Sequence, residues 1–158
     1  MIRTFILILA SISFIVVMGG ATYEHASVVP IWAAAPPASL AMFQGEYALA
    51  ASNFWIPIHP VTMIFLLAAL AANWSTPRRM FILITLGGYM VVLLTTFVFF
   101  VPELISITQS AYSATINPEL ARRAKNWEIM SLVRLAVIFL LAVNLLYGLS
   151  KPVDSNLQ

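Results

Sequence analysis

Four apolar runs constrain this chain more than anything else in it: Thr4 to Ala21, Pro57 to Trp74, Met80 to Val101 and Ile129 to Gly148. Each falls within the roughly 17–25 residues that a helix needs to cross a bilayer. The remainder of the chain has too few charges to solvate such runs in water. Of 158 residues, 61% are hydrophobic and 9% charged, against roughly 45–50% and 25% in soluble domains. This composition excludes a cytosolic enzyme, a nucleic-acid binder and a disordered tail. The net charge of +2 rests on eight basic residues, too few and too dispersed for a phosphate-binding surface. The absence of cysteine removes disulfides, thiolate chemistry and sulfur-ligated metal sites. The expectation is all-α: a single domain over residues 1–158, an antiparallel four-helix transmembrane bundle.

The spans are expected at about 4–29, 57–74, 79–101 and 118–150. The first resembles a signal peptide at its Gly19-Gly20-Ala21 stretch, but it is long for one and its helical pattern continues past Tyr23. It is therefore read as a retained span that ends before Pro30. Pro57 and Pro60 suit the first turn of the second span, where a missing N–H costs nothing. The turn Thr76-Pro77-Arg78-Arg79 makes spans two and three antiparallel neighbours, and Pro102 is expected to stop span three. The last helix is expected to start at Pro118, well outside the bilayer, because Pro118 to Ser150 contains no breaker. In the first loop, Ser39 to Asn53 reads as a short interfacial helix with a serine N-cap.

Arg3, Arg78, Arg79 and Lys151 share one end of such a bundle, and the loop Thr22 to Ile56 contains no Lys or Arg. The positive-inside rule then places both termini in the cytoplasm, against the opposing signal of Arg122, Arg123 and Lys125. The expected setting is a bacterial inner membrane. Cysteines placed at Ser39 and Ser155 should label from opposite sides.

At the other, outer end the bundle gathers Glu24, His25, Glu46, His59, Glu103, Glu128 and Arg134. Ionisable residues inside a membrane are costly and are functional candidates by default. Arg134 lies about 7–8 Å inside its apolar run. Its guanidinium stays charged, so it must snorkel or find an acid. Glu24 is the expected partner, with Glu46 second. His25, His59 and one carboxylate, Glu103, supply the residue types of a two-histidine, one-carboxylate metal set, although no close-spaced ligand motif is present. No nucleotide loop, nucleophile elbow or zincin motif occurs.

Several segments also resemble, in the right order, the anthrone-oxygenase-like family of small four-helix membrane proteins. Gly19-Gly20 followed by Val29-Pro30 is similar to that family's first span and its proline exit. Ile56-Pro57 resembles the lead into its second span. Thr96 to Pro102 resembles the close of its third span on Val-Pro, with Phe100 and Glu103 where the family often has asparagine. Trp127 to Arg134 resembles its tryptophan-to-Val-Arg signature. The resemblance implies a four-helix membrane fold and, for the named members, oxygenase action on polycyclic aromatic substrates.

The expected function is a membrane oxidoreductase or oxygenase that binds a hydrophobic aromatic or quinone-like molecule at the outer polar cluster. His25, Arg134 and Glu24 are the expected catalytic residues. Glu46, Tyr47, Trp55 and Trp127 are expected to bind the ligand. The cofactor is expected to be a metal ion held by His25, His59 and Glu103, or none. Expected partners are the lipid bilayer, the small molecule, and a further copy or another membrane protein, with no nucleic acid. The competing expectation is a non-enzymatic subunit or helper that packs against a larger membrane complex.

Overall fold

The structure, a computed structural model, describes residues 1–153, so Ser155 lies outside the described residues. Four helices are long and apolar enough to cross a membrane: α1 (Ile2–Trp32), α2 (Ser52–Ala72), α3 (Arg79–Thr108) and α4 (Pro118–Leu149). Together they form a four-helix membrane bundle, and the chain is an integral membrane protein. α1 packs mainly against α2 and α4, and α3 packs mainly against α4 and less against α2.

Two apolar cores divide the bundle along its length. The larger one, nearer the termini, includes Leu7, Phe14, Leu66, Ile82, Tyr89 and Leu145, all essentially inaccessible. In hydrocarbon the packing of such helices depends on close contact and interhelical hydrogen bonds rather than on escape from water. Glycines provide the contact: a Cβ on Gly88 would lie 2.7 Å from Leu141, and one on Gly148 would lie 2.5 Å from Phe81. Asn144 Nδ2 provides the bonds, donating to the Phe81 carbonyl at 2.8 Å and to Thr85 Oγ1 at 2.9 Å. At the terminal end, buried Arg78 donates from Nε to the Lys151 carbonyl at 2.7 Å and from Nη1 to Thr4 Oγ1 at 2.9 Å. The smaller core, at the opposite end, joins Val29, Trp32, Leu40, Phe100, Ile107, Ala124 and Trp127.

The helix ends depart from expectation at the prolines. α1 continues through Pro30 to Trp32, and α3 continues through Pro102 to Thr108. Both contain a wide π turn just before the proline, Glu24–Val28 and Thr96–Phe100. In each, the N–H after the turn reaches back five residues, Val29 to Glu24 and Val101 to Thr96. A proline inside an α-helix loses a bond and strikes the carbonyl four residues earlier. The extra residue of a π turn shifts that register, so Pro30 and Pro102 fall in the first turn of a fresh α segment. α2 starts at Ser52, before Pro57 and Pro60, which sit inside it. The carbonyls those prolines leave unbonded belong to Asn53 and Ile56, both exposed residues.

The helix expected over 39–53 is shorter. A 3-10 turn covers Ala38–Phe43, after which Gln44 is extended and Gly45 takes φ +84°, a left-handed conformation suited to glycine. Ser39 does not cap a helix. Its hydroxyl donates to the Trp32 carbonyl at 2.6 Å and accepts from the Ala35 N–H, folding the connector onto the end of α1. α4 begins with Asn117, whose Oδ1 accepts from the N–H groups of Glu119 and Leu120.

Candidate functional site

Buried residues on α1 form a stripe through Phe14, Val17, Ala21 and Val29, and His25 lies on that same face at the helical spacing of four. On α4 the corresponding stripe runs through Trp127, Ser131, Ile138 and Leu141, and Arg134 lies within it. Helical period alone therefore aims both residues at the bundle interior.

Arg134 is half-buried and meets four side chains there. Nη1 donates to Thr96 Oγ1 at 3.0 Å, and Nη2 donates to Ser131 Oγ at 2.8 Å. The guanidinium lies over the Phe100 ring, 4.0 Å from its centroid, and 5.9 Å from that of Trp127. Desolvated cation–π contacts of this kind are worth about 2 kcal/mol. The expected Glu24 pair does not form. The ion pairs among the described residues are Arg122–Glu119, Arg123–Glu103 and Lys125–Glu128, none with Arg134. Glu24 is turned to Trp55 instead, its Oε1 accepting the indole N–H at 2.7 Å. Glu24 stands within electrostatic range of Arg134 but not in contact with it.

The Nδ1 of His25 lies 2.9 Å from the Ala21 carbonyl, which can only accept, so Nδ1 carries the proton. Its Nε2 is buried without a hydrogen-bond partner. His59 forms a separate group on α2. Its ring stacks on Trp55 at 5.3 Å and its Nδ1 lies 2.7 Å from the Tyr89 hydroxyl. Arg134 is also within electrostatic range of His59.

His25, His59 and Glu103 are not brought together. No group of three histidine, aspartate or glutamate side chains among the described residues is placed to hold a metal ion. Glu103 has moved onto the extended α3 and takes a two-pronged contact from Arg123, at 2.7 Å and 2.8 Å. Of the expected ligand-binding residues, Trp55 and Trp127 belong to the cluster. Trp127 is buried, donates to the Phe100 carbonyl at 2.9 Å and meets Trp32 edge-to-face at 5.4 Å. Glu46 and Tyr47 do not belong to it: both are exposed on the turn after Gly45, and Tyr47 is 93% exposed.

Sequence reasoning passed over Thr96, Ser131, Phe100 and Tyr89. Ser131 could have been found from its position three residues before Arg134, which puts both on one helix face. Thr96 carried a weaker signal, a hydroxyl at the start of an aromatic run. Nothing local in the sequence pointed to Phe100 as the surface under the guanidinium.

Beside this seam runs a groove of about 590 Å³ between the end of α1 and the segment leading into α2. Glu24 stands in its lining among Val16, Gly19, Gly20, Tyr23 and Phe54. The site thus consists of an interior cation on aromatic rings, a buried imidazole nitrogen without a partner, and a glutamate in the lining of a lateral groove. These features define the class as a four-helix membrane bundle with a polar seam at one end. No family model, curated protein or solved structure matches the chain.

Proposed function

We propose that this protein takes a hydrophobic aromatic or quinone-like molecule from the bilayer and holds an oxygen of it at Arg134. The observation that carries this reading is the state of Arg134 itself. A guanidinium has five N–H donors; here two are given to hydroxyls, and among the described residues no carboxylate is within ion-pair distance. A buried charge is normally paired or neutralised because its desolvation is costly. One left with free donors above aromatic rings suits an electron-rich oxygen on a flat apolar molecule. His25 Nε2 offers a second polar contact within the bundle.

The reaction proposed with this binding is oxidoreductase or oxygenase chemistry on the bound ring, the activity that the family resemblance implies. Arg134 would stabilise negative charge developing on the ring oxygen, and His25 would exchange a proton. The proposed setting is the bacterial inner membrane with both termini cytoplasmic, supported by Arg3, Arg78, Arg79 and Lys151 at the terminal end.

The test is titration of decylubiquinol into purified protein in detergent micelles. Saturable binding is expected, with Arg134→Met weakening it about tenfold or more. Absence of binding, or equal binding by Arg134→Met, overturns the reading. Oxygen uptake with a hydroxyanthrone substrate tests the chemistry separately. A protein that binds but consumes no oxygen belongs to the binding or helper class.

A further inference from the structure

We infer that the groove beside Gly19 and Gly20 is a lateral seat for a tailed phenol or quinol, whose tail lies along α1 and whose hydroxyl donates to Glu24. The inference rests on the preceding reading and adds the chemical class of the molecule and its way into the bundle.

The groove is open and lies on the flank of a membrane-spanning helix, where Val16, Gly19, Tyr23 and Phe54 are all exposed. Whatever fills it at this depth must be soluble in lipid. From Val16 to Val28 it follows about 18 Å of helix, more than a single ring occupies. The two glycines divide the work of shaping it. A Cβ on Gly20 would lie 2.6 Å from the Phe54 ring, so glycine there lets that ring close against α1 as a wall. A Cβ on Gly19 would meet nothing within 4 Å, so the floor beside it is open.

The head of the occupant is selected by Glu24. This is the one acidic side chain in the lining, and its position is fixed by the 2.7 Å bond from Trp55. A carboxylate has about four lone-pair sites, so acceptor capacity remains after that bond. Its complement is a donor, which a phenol or quinol supplies and an ester or a fully oxidised quinone does not. Tyr23 and Phe54 place aromatic surface beside it, suited to a ring. A phospholipid fits less well, because the lining contains no lysine or arginine to meet a phosphate.

The experiment uses the whole protein in nanodiscs and two probes, decylubiquinol and its headgroup hydroquinone without the tail. Gly19→Leu fills open space and leaves the helix contacts intact. It is expected to weaken decylubiquinol about tenfold or more and to leave the tail-less hydroquinone unchanged. Glu24→Gln is expected to weaken both. Unchanged decylubiquinol affinity in Gly19→Leu overturns the seat while the binding reading stands. Equal displacement of decylubiquinol by phosphatidylethanolamine overturns the assignment of a phenolic head. Failure of the wild-type protein to bind either quinol removes the reading on which the inference rests.

Discussion

At Arg134 the charge is met by two hydroxyls and an aromatic face rather than by an acid. This arrangement has a thermodynamic signature. Residues that touch show coupling of about 0.5–3 kcal/mol in double-mutant cycles, whereas independent ones add within about 0.3–0.5 kcal/mol. Arg134→Met and Glu24→Gln are therefore expected to be additive in unfolding by SDS, despite the electrostatic reach between the two groups. Coupling above about 1 kcal/mol would reinstate a direct pair. His25 makes the opposite kind of prediction. Its Nε2 is buried without a partner, a state that costs about 1–3 kcal/mol for a polar group. His25→Leu is expected to leave SDS stability unchanged or raised while weakening decylubiquinol binding. A fall in stability with binding intact would make the histidine a packing residue only. Gaining stability at the expense of binding is the usual mark of a group retained for function.

At the level of elements, the two π turns decide where the polar side chains go. Because α3 passes Pro102 in helical form, Glu103 rises on it to face α4 and meets Arg123. That pair is about three-quarters covered, with side-chain exposures of 28% and 26%, whereas Arg122–Glu119 stands at 63% and 61%. Arg123 also donates to Ser106 at 2.9 Å. Arg123→Met is expected to cost about 1 kcal/mol in SDS unfolding, and Arg122→Met to leave it unchanged. Equal losses would mean that the α3–α4 clasp contributes nothing. The same turns explain what could and could not be read from the chain. The four spans were legible because apolar runs of that length have few other uses. Their ends at Pro30 and Pro102 were not, because the rule that proline stops a helix takes no account of a π turn that moves the ring off its clash. Arg134 was legible as an anomaly within its run. Its surroundings were not, because charge alone points to an acid, and Trp55 from another helix had already engaged Glu24. Glu46 and Tyr47 were placed near the site on the strength of a helix that Gly45 ends early.

Taken whole, the molecule differs along its axis: a tightly interlocked half near the termini and a far half of aromatic rings, polar groups and a groove. The absence of native cysteine makes orientation directly measurable. Single cysteines at exposed Ser75 and Ser113 are expected to react with an impermeant maleimide from opposite sides, Ser75 only after the inner face is opened. Labelling of both in intact cells would overturn the topology. The tie made by Arg78 bears on how the molecule is produced. Its two partners, Thr4 and Lys151, lie near opposite extremes of the chain. During synthesis the first three helices exist before the Lys151 carbonyl has left the ribosome, so this guanidinium waits for its last acceptor until the fourth helix is in place. Completion of the bundle is thus reported at one residue, and a chain that lacks its final turn would be left with an unsatisfied cation at the terminal end of the bundle.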